Sequence, residues 1–129
     1  MSKFAKTPEP PYYAVIFTTV KSENLEGYAE MNARMFELAQ KQKGYIGIES
    51  AKAEIGLSVT YWETLEDIAN WRNHAEHKLS QEKGYSTWYQ AFATRICRVE
   101  RDNFYEKRLW ASQMETDIAR SRKTFSARN

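Results

Sequence analysis

The sequence predicts an α+β fold whose elements follow the order βαββαβ, the split arrangement of ferredoxin-like domains. Four runs rich in β-branched and aromatic residues are typical of strands, and two stretches repeat apolar residues at helical spacing. At 129 residues the chain is long enough for one domain with its own core. We expect an extended arm over residues 1–11, one domain over residues 12–101 and a C-terminal extension over residues 102–129.

The first strand follows an arm that prolines keep extended. The prolines within residues 4–11 lack an amide donor and restrict the residue before each of them. Residues 12–20 then have the composition of a strand. The first helix is predicted from helical spacing of the apolar residues Tyr28, Met31, Met35, Leu38 and Ala39. Gly44 is placed to end this helix with a left-handed residue.

Two further strands form a predicted hairpin, over residues 45–53 and 57–63. Alternation places Leu57, Val59 and Tyr61 on one face of the second of these strands. Ser58, Thr60 and Trp62 lie on the other face. The stretch from Thr64 to Asp67 fits a capping box, so a second helix should begin there and run to about Lys83, before Gly84.

The last strand of the domain is predicted over residues 92–100. In the extension, apolar residues recur at four-residue spacing, which predicts a short helix from about Glu106 to Arg120. These residues are Trp110, Met114 and Ile118.

The second helix carries both histidines of the chain. At 100° per residue, one stripe should face the sheet; it comprises Leu65, Ile68, Arg72, Ala75 and Leu79. Trp71 lies roughly 60° from the centre of this stripe, His74 about 120° away, and His77 nearly opposite. We expect no metal site, because no third ligand stands at a recognisable spacing. Either His74 turns toward a pocket beside Trp71, or it is an ordinary edge histidine.

Composition and charge narrow the function classes. The net charge of +2 conceals a net of −2 over residues 1–106 and +4 over residues 107–129, so the predicted domain lacks the basic character of a nucleic-acid-binding protein. The chain has one cysteine, Cys97, which suits a reducing compartment and should be a buried, inert thiol. We expect a cytoplasmic protein without a membrane partner, since the start lacks an apolar signal region and no apolar run has membrane-spanning length.

Both faces of the first strand are apolar or aromatic, although both helices of the predicted fold cover only one face of the sheet. Tyr13, Val15 and Phe17 alternate with Tyr12, Ala14 and Ile16. A second copy of the sheet is the simplest cover for the other face, so we expect a homodimer.

Two motifs make a family resemblance specific. Residues 43–50 (KGYIGIES) and 61–68 (YWETLEDI), in the βαββαβ order, resemble the antibiotic biosynthesis monooxygenase family over roughly residues 10–102. The arm, together with residues 73–77 and Trp88–Tyr89, more closely resembles a bacterial branch of monooxygenases without a known substrate. The resemblance implies a dimeric α+β barrel with a pocket in each subunit between the helices and the sheet.

The resemblance also implies site residues. The third-strand tryptophan of the polyketide-oxidising members falls on Trp62, but their asparagine falls on Ser58 and their helix tyrosine on Ile68. The helix tryptophan of the haem-degrading members falls on Trp71, but their haem-ligating histidine falls on Gln81. The match to each reaction is therefore partial.

The resulting hypothesis is a monooxygenase without a cofactor or metal, which oxidises a small aromatic phenol or quinol with O2. His74 would be the base, and Trp62 and Trp71 the walls of the pocket. Tyr45, Glu49 and Ser58 would bind the substrate. Two alternatives stay open, a haem-binding or haem-degrading protein and a non-catalytic dimeric ligand-binding or stress protein.

Overall fold

The computed structural model describes residues 3–81 and 87–107, and within them the predicted element order is confirmed. The elements are β1 (Tyr12–Lys21), α1 (Tyr28–Gln40), β2 (Tyr45–Lys52), β3 (Gly56–Trp62), α2 (Leu65–Gln81) and β4 (Tyr89–Val99). The strands form one antiparallel sheet in the order β2-β3-β1-β4. The predicted end of the second helix at Gly84 and most of the predicted C-terminal helix lie outside the described residues.

The two faces of the sheet have different covers. One face, here called the helix face, carries Val15 of β1 and Trp62 of β3, which form a buried core cluster with Ile68 of α2. The opposite face carries Tyr12 and Tyr61, whose rings meet edge to face at 5.9 Å between centroids. The N-terminal arm lies against this second face, which is therefore called the arm face.

The predicted left-handed conformation of Gly44 is confirmed, but its predicted place at the end of the first helix is wrong. The helix ends at Gln40, its cap residue Lys41 is right-handed with a φ of −90°, and Gly44 lies in the turn before β2. Gly44 has a φ of 83°, a left-handed conformation that suits glycine. Its carbonyl accepts the backbone N–H of Glu63 at 2.8 Å. At the start of α2 the Thr64 hydroxyl accepts the N–H of Asp67 at 3.0 Å, which confirms the predicted cap. Asp67 is only 4% exposed and packs against Gly44.

Two burial predictions are wrong. Leu65 is 54% exposed instead of facing the sheet, whereas Ile68, one turn further on, is buried. Leu65 is the first residue of α2, and helical side chains lean toward the amino terminus, so it has no preceding turn to pack against. Cys97 is exposed instead of buried. It lies opposite Ala14 on β4, which is an edge strand of the sheet that the described residues form.

The arm face is only partly covered. Tyr12 is 3% exposed, and its hydroxyl donates a hydrogen bond to Asp102, which follows β4. Phe4 of the arm contacts Phe104, with 6.1 Å between ring centroids. Leu57, also on the arm face, is 37% exposed. The terminal segments therefore close one part of this face and leave another part accessible.

Candidate functional site

A row of four rings connects the core to the surface on the helix face. The Tyr45 ring meets Trp62 edge to face at 5.6 Å between centroids. Trp62 stacks on Trp71 at 6.2 Å with 22° between planes, and Trp71 stacks on His74 at 5.9 Å with 26° between planes. These four residues, here called the aromatic stack, were all candidates from the sequence, and the fold brings them together.

The inner end of the stack is fixed by burial and by a hydrogen bond. Trp62 has no exposed surface. Its indole Nε1–H donates to the Thr60 hydroxyl at 2.8 Å, so the polar atom of this buried side chain is satisfied. Val15 and Ile68 pack around it. Because Trp62 is enclosed, it supports the position of Trp71 and has no surface of its own to offer a ligand in this structure.

The outer end of the stack is accessible. Trp71 is partly exposed and His74 is exposed. The two stand three residues apart on α2, a spacing that places side chains side by side on a helix. A partly exposed indole and an exposed imidazole thus lie together at the surface of the helix layer. His77 is also exposed, and no group of three His, Cys, Asp or Glu side chains suited to a metal ion occurs among the described residues.

Tyr45, at the inner end of the stack, and Ser58, on the same face of the sheet, are the two candidates with hydroxyl groups. Burial raises the pKa of Tyr45 above its ordinary value, which keeps its hydroxyl protonated and able to donate a hydrogen bond. Ser58 lies opposite Phe17 in the register and is partly exposed on the helix face. It stands four residues before Trp62 on the same face of β3.

Glu49 does not join this site, which corrects the sequence-based assignment. A register irregularity between Tyr45 and Gly47 inserts one extra residue into β2. Tyr45 therefore faces the helices beside Trp62, whereas Glu49 faces the arm, although simple alternation would place both on one side. The Glu49 carboxylate accepts the Tyr61 hydroxyl at 2.7 Å and the backbone N–H of Ala5 at 2.8 Å.

The sequence did not single out the two tyrosines of the arm face. Burial raises the pKa of Tyr12 to about 12, with a smaller contribution from the nearby Asp102 carboxylate. Burial, followed by the hydrogen bond to Glu49, raises the pKa of Tyr61 above its ordinary value. Both hydroxyls thus remain protonated donors to carboxylates. Alternation along the strands could have predicted that these two tyrosines share the face opposite Trp62. It could not have predicted their carboxylate partners, which are distant in sequence.

Comparison with known proteins decides the family. The sequence model described as "Antibiotic biosynthesis monooxygenase" matches residues 11–83, which contain the whole aromatic stack. The chain belongs to the antibiotic biosynthesis monooxygenase family. Membership supports a monooxygenase function and leaves the substrate undetermined.

Relatives of this family member agree in sequence and in fold. "Uncharacterized protein YqjZ" of Bacillus subtilis (strain 168) is 46% identical over 109 residues, which cover 83% of this chain and 96% of the relative. The crystal structure of PA3566 from Pseudomonas aeruginosa matches with a TM-score of 0.56 at 13% identity, covering 74% of this chain and 99% of that one. SnoaB, a cofactor-independent oxygenase from Streptomyces nogalater, matches with a TM-score of 0.56 at 6% identity over 76% of this chain and 100% of its own.

These structural matches show that the chain shares its ferredoxin-like fold with PA3566 and SnoaB. Among the described residues, no helix combines the length and the hydropathy needed to cross a bilayer.

Proposed function

We propose that this protein is a cofactor-independent monooxygenase of a small, electron-rich aromatic substrate, a phenol or quinol, with O2 as the second substrate. The carrying observation is the Trp71–His74 pair, in which an accessible imidazole lies 5.9 Å from the centroid of a partly exposed indole. The family match and the fold shared with an oxygenase that works without a cofactor support the same reaction class.

Trp71 is the proposed wall of the substrate site. A planar indole offers a large apolar contact to an aromatic ring at low entropic cost. The nearly parallel stacking on Trp62, at 22°, supports the rear of the Trp71 ring. The sequence-based proposal of two tryptophan walls is therefore modified, since Trp71 contacts the substrate and the enclosed Trp62 positions it.

His74 is the proposed general base. Imidazole side chains titrate near neutral pH, which suits the removal of a proton from an acidic phenol or quinol. Its stacking on Trp71 places the imidazole next to the ring that would hold the substrate. The Tyr45 hydroxyl, kept protonated by burial, and Ser58 are proposed donors to the substrate oxygens.

The proposed reaction balances without an external reductant. The base removes a proton from the substrate, and the resulting anion gives one electron to O2. The radical pair combines at a ring carbon to form a peroxide, which takes up a proton. Cleavage of its O–O bond leaves a carbonyl on the ring and releases water. A phenol and O2 thus give a quinone and H2O: the substrate loses the hydrogen of its O–H and the hydrogen of one ring C–H, and it supplies both electron pairs that reduce O2.

Oxygen consumption with a panel of phenols and quinols tests this proposal, using His74→Ala and the matched control His77→Ala. The two variants are matched because each loses one exposed imidazole from α2, at positions three residues apart. General base catalysis typically contributes about 10²–10⁴-fold, so His74→Ala should lose that much of kcat while His77→Ala retains it. Equal turnover of the two variants would remove His74 from the mechanism.

A haemin titration of the same three proteins separates the alternative function. A saturable shift of the Soret band that is lost only in His74→Ala would identify His74 as an axial ligand, and would replace the oxygenase proposal with haem binding. An unchanged free-haemin spectrum would leave the oxygenase reading in place.

We further propose that a second copy of this chain packs on the accessible part of the arm face. Leu57 is exposed there, close to the exposed Ile55 of the β2–β3 turn, which makes an apolar patch at one end of the sheet. Leu57→Asp should dissociate the homodimer in sedimentation experiments. Leu65→Asp is the control, because Leu65 is even more exposed but belongs to the helix layer. A monomeric parent protein, or equal dissociation of both variants, would contradict this interface.

A further inference from the structure

We propose that the N-terminal arm positions the aromatic stack by holding β2 from the opposite face of the sheet. Ala5, Gly47 and Glu49, here called the arm clamp, would be positioning residues for the site on the helix face. The effect of the clamp on turnover rests on the proposed function, whereas its effect on the geometry of the stack does not.

One carboxylate connects the arm to the two strands that carry the inner part of the stack. Glu49 Oε2 accepts the Ala5 N–H at 2.8 Å, and Glu49 Oε1 accepts the Tyr61 hydroxyl at 2.7 Å. Hydrogen bonds to an ionised acceptor are roughly twice as strong as neutral ones. Tyr61 is adjacent to Trp62 in β3 and points to the other face. The carboxylate thus joins the arm, β2 and β3 on the face of the sheet opposite Trp62.

Gly47 allows the arm to approach the backbone of β2. A Cβ at this position would lie 2.9 Å from the Cβ of Ala5, closer than such atoms come in proteins. The absence of a side chain at Gly47 is therefore required for the arm to lie where it does. Substitution by alanine should push the arm away, and it replaces no residue of the helix face, so any change in the stack would come from the loss of the arm.

The position of the clamp along β2 links it to the stack. Within residues 3–81 and 87–107, β2 is an edge strand, and its one pairing partner there is β3. The irregularity between Tyr45 and Gly47 turns Tyr45 toward Trp62, at 5.6 Å, while it leaves Gly47 and Glu49 facing the arm. Bulges re-aim side chains and weaken local pairing. The arm therefore holds β2 at the point where the direction of Tyr45 is decided.

The test uses Gly47→Ala and Glu49→Leu, with Glu49→Gln as the conservative variant and Ala51→Ser as an exposed control on the same face of β2. Arm release is measured by limited proteolysis within residues 3–9. The stack is measured by the near-ultraviolet circular dichroism band that Trp62→Phe removes from the parent protein. Far-ultraviolet spectra and urea midpoints establish that each variant is folded.

The protease should cleave the arm of Gly47→Ala and of Glu49→Leu roughly tenfold faster than the arm of the parent protein. This is the factor expected from losing a hydrogen bond to a carboxylate. Both should also lose most of the Trp62-dependent band. Glu49→Gln should retain the band, because its carbonyl oxygen can still accept from Ala5 and its amide can donate to Tyr61. Ala51→Ser should match the parent.

Two results would overturn the proposal. One is a faster-cleaved arm with an unchanged Trp62 band, which would show that the arm and the stack are independent. The other is an arm that stays protected in both Gly47→Ala and Glu49→Leu, which would show that these residues do not hold it. Because no substrate is used, a failure to find oxygenase activity would affect neither reading.

Discussion

Replacing Gly44 with alanine tests how the helix face is assembled. A left-handed conformation costs an L-residue roughly 1–2 kcal/mol, and Gly44 has a φ of 83°. The added Cβ would also lie 2.7 Å from the Cβ of Asp67, with the carboxylate closer still. Asp67 is enclosed and cannot swing into solvent, so overpacking should cost about 1–3 kcal/mol more. The free energy of unfolding should therefore fall by about 2–5 kcal/mol.

Gly27→Ala is the matched control for this prediction. Gly27 has a φ of 80°, but the nearest atom to the methyl group of the new alanine would be Trp88 Cζ2, at an ordinary 3.6 Å. It should lose only the conformational cost of about 1–2 kcal/mol. Urea unfolding followed by tryptophan fluorescence measures both variants. The extra loss at Gly44 should shrink in an Asp67→Ala background. Equal losses for the two glycines would refute the argument that Asp67 packing fixes the joint between β2 and α2.

Three further predictions address the two faces of the sheet. Trp62→Ala should lower the free energy of unfolding by about 3–5 kcal/mol, because it empties a fully buried site; a loss below about 1 kcal/mol in urea unfolding would contradict that burial. Folding raises the pKa of Tyr12 from 10.0 to about 12, which should contribute stability that is complete below about pH 10 and is lost as the pH rises through about 12. In urea unfolding measured against pH, the free energy of unfolding of Tyr12→Phe should therefore fall less steeply at alkaline pH than that of the parent protein. Identical slopes would argue against this contribution. Cys97 should react readily with a disulfide reagent in dilute solution and more slowly as the protein concentration rises, if a second copy covers the arm face; a rate independent of concentration would count against that cover.

Local sequence patterns were sufficient to predict the order of the strands and helices. Alternation and helical spacing depend on neighbouring residues, so the order of strands and helices and the Thr64 cap could be read from the sequence and are confirmed. The stripe of α2 was predicted correctly at Ile68 and wrongly at Leu65. Helical pitch gives the direction of a side chain, but it does not say whether another element stands there.

For the candidate site, too, the sequence predicted the residues, and the tertiary structure decided which of them come together. Trp62, Trp71 and His74 were candidates because of residue type and inferred face, and the fold assembles them into one stack with Tyr45. Glu49 was a candidate for substrate binding beside Tyr45, but it lies on the opposite face of the sheet because a single extra residue in β2 reverses the alternation after it. Gly47 was a usable local signal, since an isolated glycine inside a strand often marks a bulge or a close backbone approach, but the number of inserted residues is visible only in the pairing with β3.

The sequence by itself determined the element order, the turn at Gly44 and the residue types available for chemistry, because each depends on short-range propensity and periodicity. Only the tertiary structure decided that the arm reaches Glu49, 44 positions away, and that Tyr12 meets Asp102 across 90 positions. Such contacts are set by how the two faces of the sheet are covered. Chain order limits which contacts are possible, and packing selects among them.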